Sequence, residues 1–261
     1  MIWGVEVLFV HGAWEGPWSF SPWSAVFAEA GWACRSLTLP GHGPGEEAEG
    51  AGLEDYSEAL EEAVWAPEKT VLVGHSMGGW LILKYLERQR VAASVLVAPT
   101  PFNGLPLGTV AAMARRLPWA ALKTFVFGCP AALTKARVIR ELCFSEQSPD
   151  SVVQRYADRL VPEGPRVVRQ LALMRLRPPG ARRVSARRLR KTQAGRPHLI
   201  LASGADRFVT PADLEPTARL LGAEMLELEG VPHAVVESDE DRSIVRRVMA
   251  WLETRLEREE S

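Results

Sequence analysis

Cysteine is scarce in this sequence: Cys34, Cys129 and Cys143 are the only three in 261 residues. Their wide spacing gives neither a disulfide framework nor a zinc-binding pattern, and no metal is expected. Histidine is nearly as rare, with five residues, so each can be weighed separately as a candidate base. No Lys or Arg precedes Arg35. A secretory leader needs a basic region ahead of its apolar stretch, so the expectation is a cytoplasmic protein. Long apolar runs are missing as well. The longest uncharged run, residues 91–114, is interrupted by Pro99, Pro101, Asn103, Gly104, Pro106 and Gly108, so no membrane span is expected there. A net charge of −1 gives no general attraction for nucleic acid or an anionic membrane.

What is present points to a folded enzyme-sized unit. With 47% hydrophobic residues the chain is not disordered. Its length suits one large domain, or a core domain carrying an insert, and roughly three-quarters of the unfolded surface can be buried at this size. The near-neutral charge is a sum of opposite blocks. Residues 46–68 hold nine Asp or Glu and no Lys or Arg, whereas residues 164–205 hold eleven Lys or Arg and no Asp or Glu. Solvated helix faces are the default explanation; an electrostatic seam and a cationic rim recruiting an anionic substrate are the alternatives.

Short apolar, β-branched runs recur at Val5–Val10, Cys34–Leu39, Thr70–Val73, Ser94–Ala98, His198–Ala202 and Glu224–Leu228. Most precede a turn and a helical pattern, which predicts a mostly parallel sheet of about six strands with helices on both faces. Trp23, Val26, Phe27 and Ala30 share a helix face, with Gly31 where a C-cap falls. Leu53, Tyr56, Leu60 and Val64 repeat at helical spacing, as do Ile244, Val248, Trp251 and Leu256. Between residues 103 and 196 only helical patterns occur, at 110–122, 134–142, 151–160 and 166–176. The expected organisation is a core of residues 1–102 and 197–261 carrying an all-helical insert, 103–196. Pro178-Pro179-Gly180 marks the expected return to the sheet.

Gly74-His75-Ser76-Met77-Gly78 follows one predicted strand and precedes an apolar helical run. This is G-x-S-x-G in the strand–turn–helix setting of a nucleophile elbow, where glycines on both sides let strand and helix pass closely. The helix N-terminus also favours negative charge developing nearby. Ser76 needs a base. His75 adjoins it and points elsewhere by chain geometry. His11 and His42 sit in glycine turns, where structural hydrogen bonding is the expected role, and His198 lies inside an apolar strand. His233 remains, in the loop after the last predicted strand. A carboxylate ending another strand should orient the imidazole. Asp206 follows a strand and turn, whereas Asp55, Asp158 and Asp213 lie on or at helices, and Asp239 and Asp241 open the last helix. The order Ser76, Asp206, His233 is the one found in α/β-hydrolases.

The chain resembles the α/β-hydrolase superfamily over most of its core. Val10-His11-Gly12-Ala13-Trp14 resembles the oxyanion loop, Leu39-Pro40-Gly41-His42-Gly43 the next loop, and Gly74–Gly79 the elbow. Ser203-Gly204-Ala205-Asp206 and Pro232-His233 resemble the acid and base loops. The resemblance implies an α/β-hydrolase fold, a cap formed by the insert, and an oxyanion hole made by the N–H groups of Ala13 and Met77. It also implies a serine hydrolase acting on a carboxylic ester, with no cofactor. The family framework often begins with antiparallel strands ahead of the oxyanion-loop strand; here that strand starts almost at Met1, so a trimmed sheet is expected.

His-Gly-Ala-Trp-x-Gly-x-Trp resembles methylesterases and hydroxynitrile lyases, while Gly-His-Ser-Met-Gly-Gly resembles monoacylglycerol lipases and lysophospholipases. Haloalkane dehalogenases and epoxide hydrolases are excluded, since they place Asp at the position of Ser76. Trp14, Phe102, Trp119 and Phe125 are candidate substrate-binding residues, with ordinary core packing the default for each. The expected partner is a small-molecule ester with a small to medium apolar acyl group. Thioesterase, perhydrolase or lyase use of the same residues stays open, as does a catalytically inactive binding scaffold. A homodimer is neither required nor excluded.

Overall fold

Central strands of a parallel sheet are covered on both faces and read as continuous apolar runs, and the third and fourth strands show this. In the computed structural model, which describes residues 4–46, 48, 50–116, 118–119, 134–176, 183–193 and 195–257, β3 (Thr70–His75) and β4 (Ala93–Val97) are buried at every position. The other strands are β1 (Glu6–Val10), β2 (Ala33–Leu37), β5 (His198–Ser203) and β6 (Glu224–Leu228). They form a six-stranded, all-parallel sheet in the order β2-β1-β3-β4-β5-β6. The two edge strands, β2 and β6, are the partly exposed ones.

Alternation along the strands feeds two hydrophobic layers. Val7, Phe9, Val71 and Val73 face one layer, with α1 (Ser21–Glu29) and the last helix. Leu8, Val10 and Leu72 face the other, with α2 (Leu53–Ala63) and α3 (Met77–Tyr85). Each fully buried Leu or Val contributes roughly 1.5–3 kcal/mol by transfer from water, so these rows dominate the stability of the core.

Between β4 and β5 the described residues hold helices only: α4 (Leu107–Arg116), α5 (Ala136–Cys143), α6 (Asp150–Ala157), α7 (Pro165–Ala172) and α8 (Ala186–Gln193), with one short 3-10 turn. Helices α5 and α6 bury Val138, Ile139, Leu142, Val153 and Tyr156 in a third cluster that packs against Trp14, Trp18 and Phe208. Helix α7 instead sends Val167 and Leu171 into the layer of α2 and α3. Helix α8 packs on the core too, through Leu189 and through Gln193, whose Nε2 donates to the carbonyls of Leu86 and Gln89. The expected return point Pro178–Gly180 lies outside the described residues. After β5 come α9 (Pro211–Leu221), α10 (Val235–Ser238) and α11 (Ser243–Leu256). Among the described residues no helix is long and apolar enough to cross a membrane.

The two charge blocks meet. Arg166 on α7 lies 3.4 Å from Glu54 and 3.7 Å from Asp55 on α2, and Gln170 Nε2 donates to Glu54 at 2.8 Å. Arg196 pairs with Glu68. These contacts are partly exposed, and such pairs contribute about 0–1 kcal/mol each. They join the two blocks at two places, between α7 and α2 and between the residues that precede β5 and β3.

Candidate active site

The neighbouring strands β1 and β3 continue in opposite directions along the sheet, β1 to β2 on one side and β3 to β4 on the other. A crevice therefore opens at the carboxyl ends of β1 and β3, where ligands bind in open α/β sheets. Three of the four described non-glycine residues with positive φ gather at this edge: Trp14 (63°), Ser76 (50°) and Ala98 (41°). Backbone strain of this kind persists only where surroundings over-determine it.

Ser76 sits between β3 and α3 with φ 50° and ψ −115°. Its N–H donates to the Val97 carbonyl and its own carbonyl accepts from Thr100, both at 3.0 Å, so the turn is tied to the end of β4. The tight passage needs its glycines. A Cβ on Gly78 would collide with the carbonyl oxygen of Val10, and one on Gly74 would lie 2.8 Å from the Gly78 backbone.

The structure brings Ser76, His233 and Asp206 together from three loops. His233 Nε2 lies 3.0 Å from Ser76 Oγ, and His233 Nδ1 lies 2.7 Å from Asp206 Oδ2. The other oxygen of Asp206 accepts from the N–H groups of Phe208 and Val209 at 2.7 and 3.2 Å, which fixes the carboxylate. The rejected aspartates have structural partners. Asp239 accepts from Ile244 and Val245, Asp241 from Ser243, and Asp213 completes a capping box with Thr210.

Ala13 and Met77 both line the cavity beside Ser76. Met77 is the first residue of α3, so its N–H has no intrahelical acceptor. The amides flanking Ala13 are each committed to a buried carboxylate: Gly12 N–H donates to Glu15 at 2.7 Å, and Trp14 N–H to Glu163 at 3.3 Å.

The cavity, about 90 Å³ in volume, is lined mainly by apolar side chains, among them Trp14, Leu105, Val110, Val168, Leu171 and Phe208. Of the four candidate substrate-binding residues, Trp14 lies on this wall. Phe102 packs against the core cluster and is not among the described lining residues. Trp119 is 74% exposed and is also absent from that lining. Phe125 lies outside the described residues. Among the described residues no cluster of three or more His, Cys, Asp or Glu side chains is arranged to hold a metal.

The remaining histidines are all committed. His11 accepts the Leu39 N–H at Nε2 and donates from Nδ1 to the Gly12 carbonyl. Burial, reinforced by His42, lowers its pKa to about 4 and keeps it neutral. His198 bonds Ser94 across β4 and β5 and is likewise lowered by burial to about 4. His75 does turn away from Ser76, onto Glu15 (2.9 Å) and the carbonyl of His233 (3.0 Å). Burial alone would lower its pKa; the facing Glu15 carboxylate outweighs burial and raises it. Burial pushes the Glu15 carboxyl up, but the charge of His75, with bonds from His75, Tyr156 and Gly12, brings it down to about 2. His42 and Glu163 form a second such pair at 3.4 Å, with the histidine raised and the carboxyl lowered against the effect of burial. Sequence patterns gave no signal for Glu15, Tyr156 or Glu163.

The sequence model of the alpha/beta hydrolase family matches residues 7–246. Over 113 residues the chain is 37% identical to a probable esterase, PIR7A, of rice (Oryza sativa subsp. indica), a match covering 40% of this chain and 43% of the rice protein. The chain thus spans less than half the length of that curated relative. Its structure is similar to an esterase (EaEST) from Exiguobacterium antarcticum, with TM-score 0.72, 17% identity, and 96% and 92% of the two chains covered. It is also similar to the methylesterase MES16 from Arabidopsis, with TM-score 0.66, 18% identity, and coverage of 96% and 99%. At these identities the two structures speak for the fold.

Proposed function

The chain belongs to the alpha/beta hydrolase family, and from that premise we propose that it is a serine hydrolase cleaving a carboxylic ester with a small to medium apolar acyl group. The observation that carries this reading is the hydrogen-bonded line Ser76–His233–Asp206 opening on an apolar cavity. The esterase names of its relatives support it.

In this reading Ser76 Oγ attacks the ester carbonyl carbon while His233 Nε2 takes the hydroxyl proton. Asp206 holds the Nδ1–H tautomer and stabilises the imidazolium that forms. The carbonyl oxygen, now negative, is held by the N–H groups of Ala13 and Met77, each donor contributing roughly 3 kcal/mol to the barrier reduction. His233 then passes its proton to the leaving alcohol oxygen, and the acyl group stays on Ser76. Water attacks this acyl-enzyme with His233 as base, releasing the acid and restoring Ser76.

The helical segment between β4 and β5 acts as the cap. Leu105, Val110, Tyr156, Val168, Leu171 and Ala172 supply much of the cavity wall. The apolar lining favours an apolar acyl group of small to medium size. The test is a p-nitrophenyl ester series. The expected result is higher kcat/KM for acetate and butyrate than for octanoate or longer, and loss of turnover in Ser76→Ala. Unchanged turnover in Ser76→Ala would contradict the nucleophile assignment, and a preference for long chains would contradict the acyl class.

A further inference from the structure

Glu15 is buried in the loop after β1 and accepts three hydrogen bonds from three different parts of the chain. Its donors are Gly12 N–H (2.7 Å), His75 Nδ1 (2.9 Å) and the Tyr156 hydroxyl (2.6 Å). The second ring nitrogen of His75 faces the His233 carbonyl oxygen at 3.0 Å. Both ring nitrogens of His75 thus face oxygen acceptors, an arrangement that favours the imidazolium form. One continuous line therefore runs from Tyr156 on α6 through Glu15 and His75 to the backbone of His233.

Glu163, from the loop before α7, repeats the pattern two residues further along the oxyanion loop. It accepts from Trp14 N–H and from the Tyr56 hydroxyl (2.5 Å) and faces His42 at 3.4 Å. His42 in turn donates from Nδ1 to the Glu15 carbonyl at 2.6 Å. The Ala13 peptide is thereby bracketed, with the amide before it on Glu15 and the amide after it on Glu163. Burying charge is costly even when paired, and an apolar core of the same shape would serve stability as well or better. What apolar groups cannot do is orient three loops through directional bonds.

We propose that Glu15, acting through His75 and held by Tyr156, is a positioning residue for the reaction. It sets the oxyanion-loop amide of Ala13 and the backbone of His233 together, so that docking of the helical insert is coupled to assembly of the site. This inference rests on the serine-hydrolase reading above.

The test uses the whole chain with p-nitrophenyl butyrate, and expresses kcat per active site titrated with a fluorophosphonate. Tyr156→Phe keeps the ring, which packs edge-on against Trp18 and Phe144, and removes only the hydroxyl. Glu15→Gln keeps the shape and cannot accept all three donors. Both variants are expected to lower kcat per titrated site by about 10-fold or more, with KM little changed, because a misplaced donor weakens the transition state and not ground-state binding. Normalising per titrated site removes any loss from misfolded protein. A kcat within about two-fold of wild type in Tyr156→Phe or in folded Glu15→Gln overturns the proposal, as does a loss expressed in KM alone. If Glu15→Gln fails to fold, Tyr156→Phe decides. A wild-type protein that neither reacts with the probe nor turns over the ester overturns the hydrolase reading, and this inference with it.

Discussion

Asp206 divides its two oxygens between tasks, one for the Phe208 and Val209 amides and the other for His233. In Asp206→Asn the side-chain oxygen can still serve the backbone turn, which places the amide NH2 against His233 Nδ1. The imidazole must then adopt the other tautomer and can no longer accept the Ser76 proton. The expected outcome in steady-state assays is a fall in kcat of roughly 10⁴-fold with KM little altered; a loss below about 10-fold would mean that Asp206 is not the orienting acid. The meeting of Ser76, His233 and Asp206 in one hydrogen-bonded line was legible in the sequence because each stands in a turn beside a strand and few histidines compete. Glu15, Tyr156 and Glu163 were not legible. Glu15 and Tyr156 are 141 residues apart, and Trp14 and Glu163 are 149 apart, so their chemistry exists only once the chain has folded. Trp119 was singled out by residue type and is exposed, since an aromatic side chain carries no sign of which way it faces.

Strands were the most legible elements. β5 runs over His198–Ser203, within a residue of the apolar run seen in the sequence, because a parallel strand buried on both faces leaves few polar interruptions; the edge strand β6, Glu224–Leu228, coincides with its run although only Leu228 is buried. The edge strand β2 is shifted by up to two residues from its run, to Ala33–Leu37. Helix caps were legible where chemistry marks them. Gly31 takes φ 84° just beyond α1, and Asp239 accepts two amides at the start of α11. The insert was legible as helices and illegible as architecture. An amphipathic stripe shows that a helix is covered on one side and not by what. α5 and α6 cover the oxyanion loop, whereas α7 and α8 pack on the main core. The opposite charge blocks proved to be partners in part, through Arg166 with Glu54 and Asp55 and through Arg196 with Glu68.

For the whole molecule, the buried histidines divide into two sets with opposite consequences for stability. His11 and His198 stay neutral down to about 4. Between 6.5 and 4 the unfolded chain binds protons that the folded chain refuses, so they cost stability as pH falls. Glu15, held at about 2, adds a second loss as pH falls from 4.5, because only the unfolded chain takes up that proton. His75 and His42 have raised values. Their contribution is full below 6.5 and declines as pH rises through their folded pKa values. His75 faces Glu15, the His233 carbonyl and, at longer range, Asp206; His42 faces Glu163 and Glu15. Urea midpoints measured from pH 4 to 9 should therefore peak near pH 6.5. Glu15→Gln should flatten the alkaline side by removing the partner of His75. A midpoint that climbs steadily to pH 9 would contradict the two buried ion pairs.

The central claim is that Ser76 is a nucleophile activated by His233 and held by Asp206. The most direct measurement is peptide mass mapping after brief exposure to a fluorophosphonate. The account predicts one modified residue, Ser76, with labelling lost in Ser76→Ala and strongly slowed in His233→Ala. Labelling elsewhere on the chain, or labelling of Ser76 at an unchanged rate in His233→Ala, would contradict it.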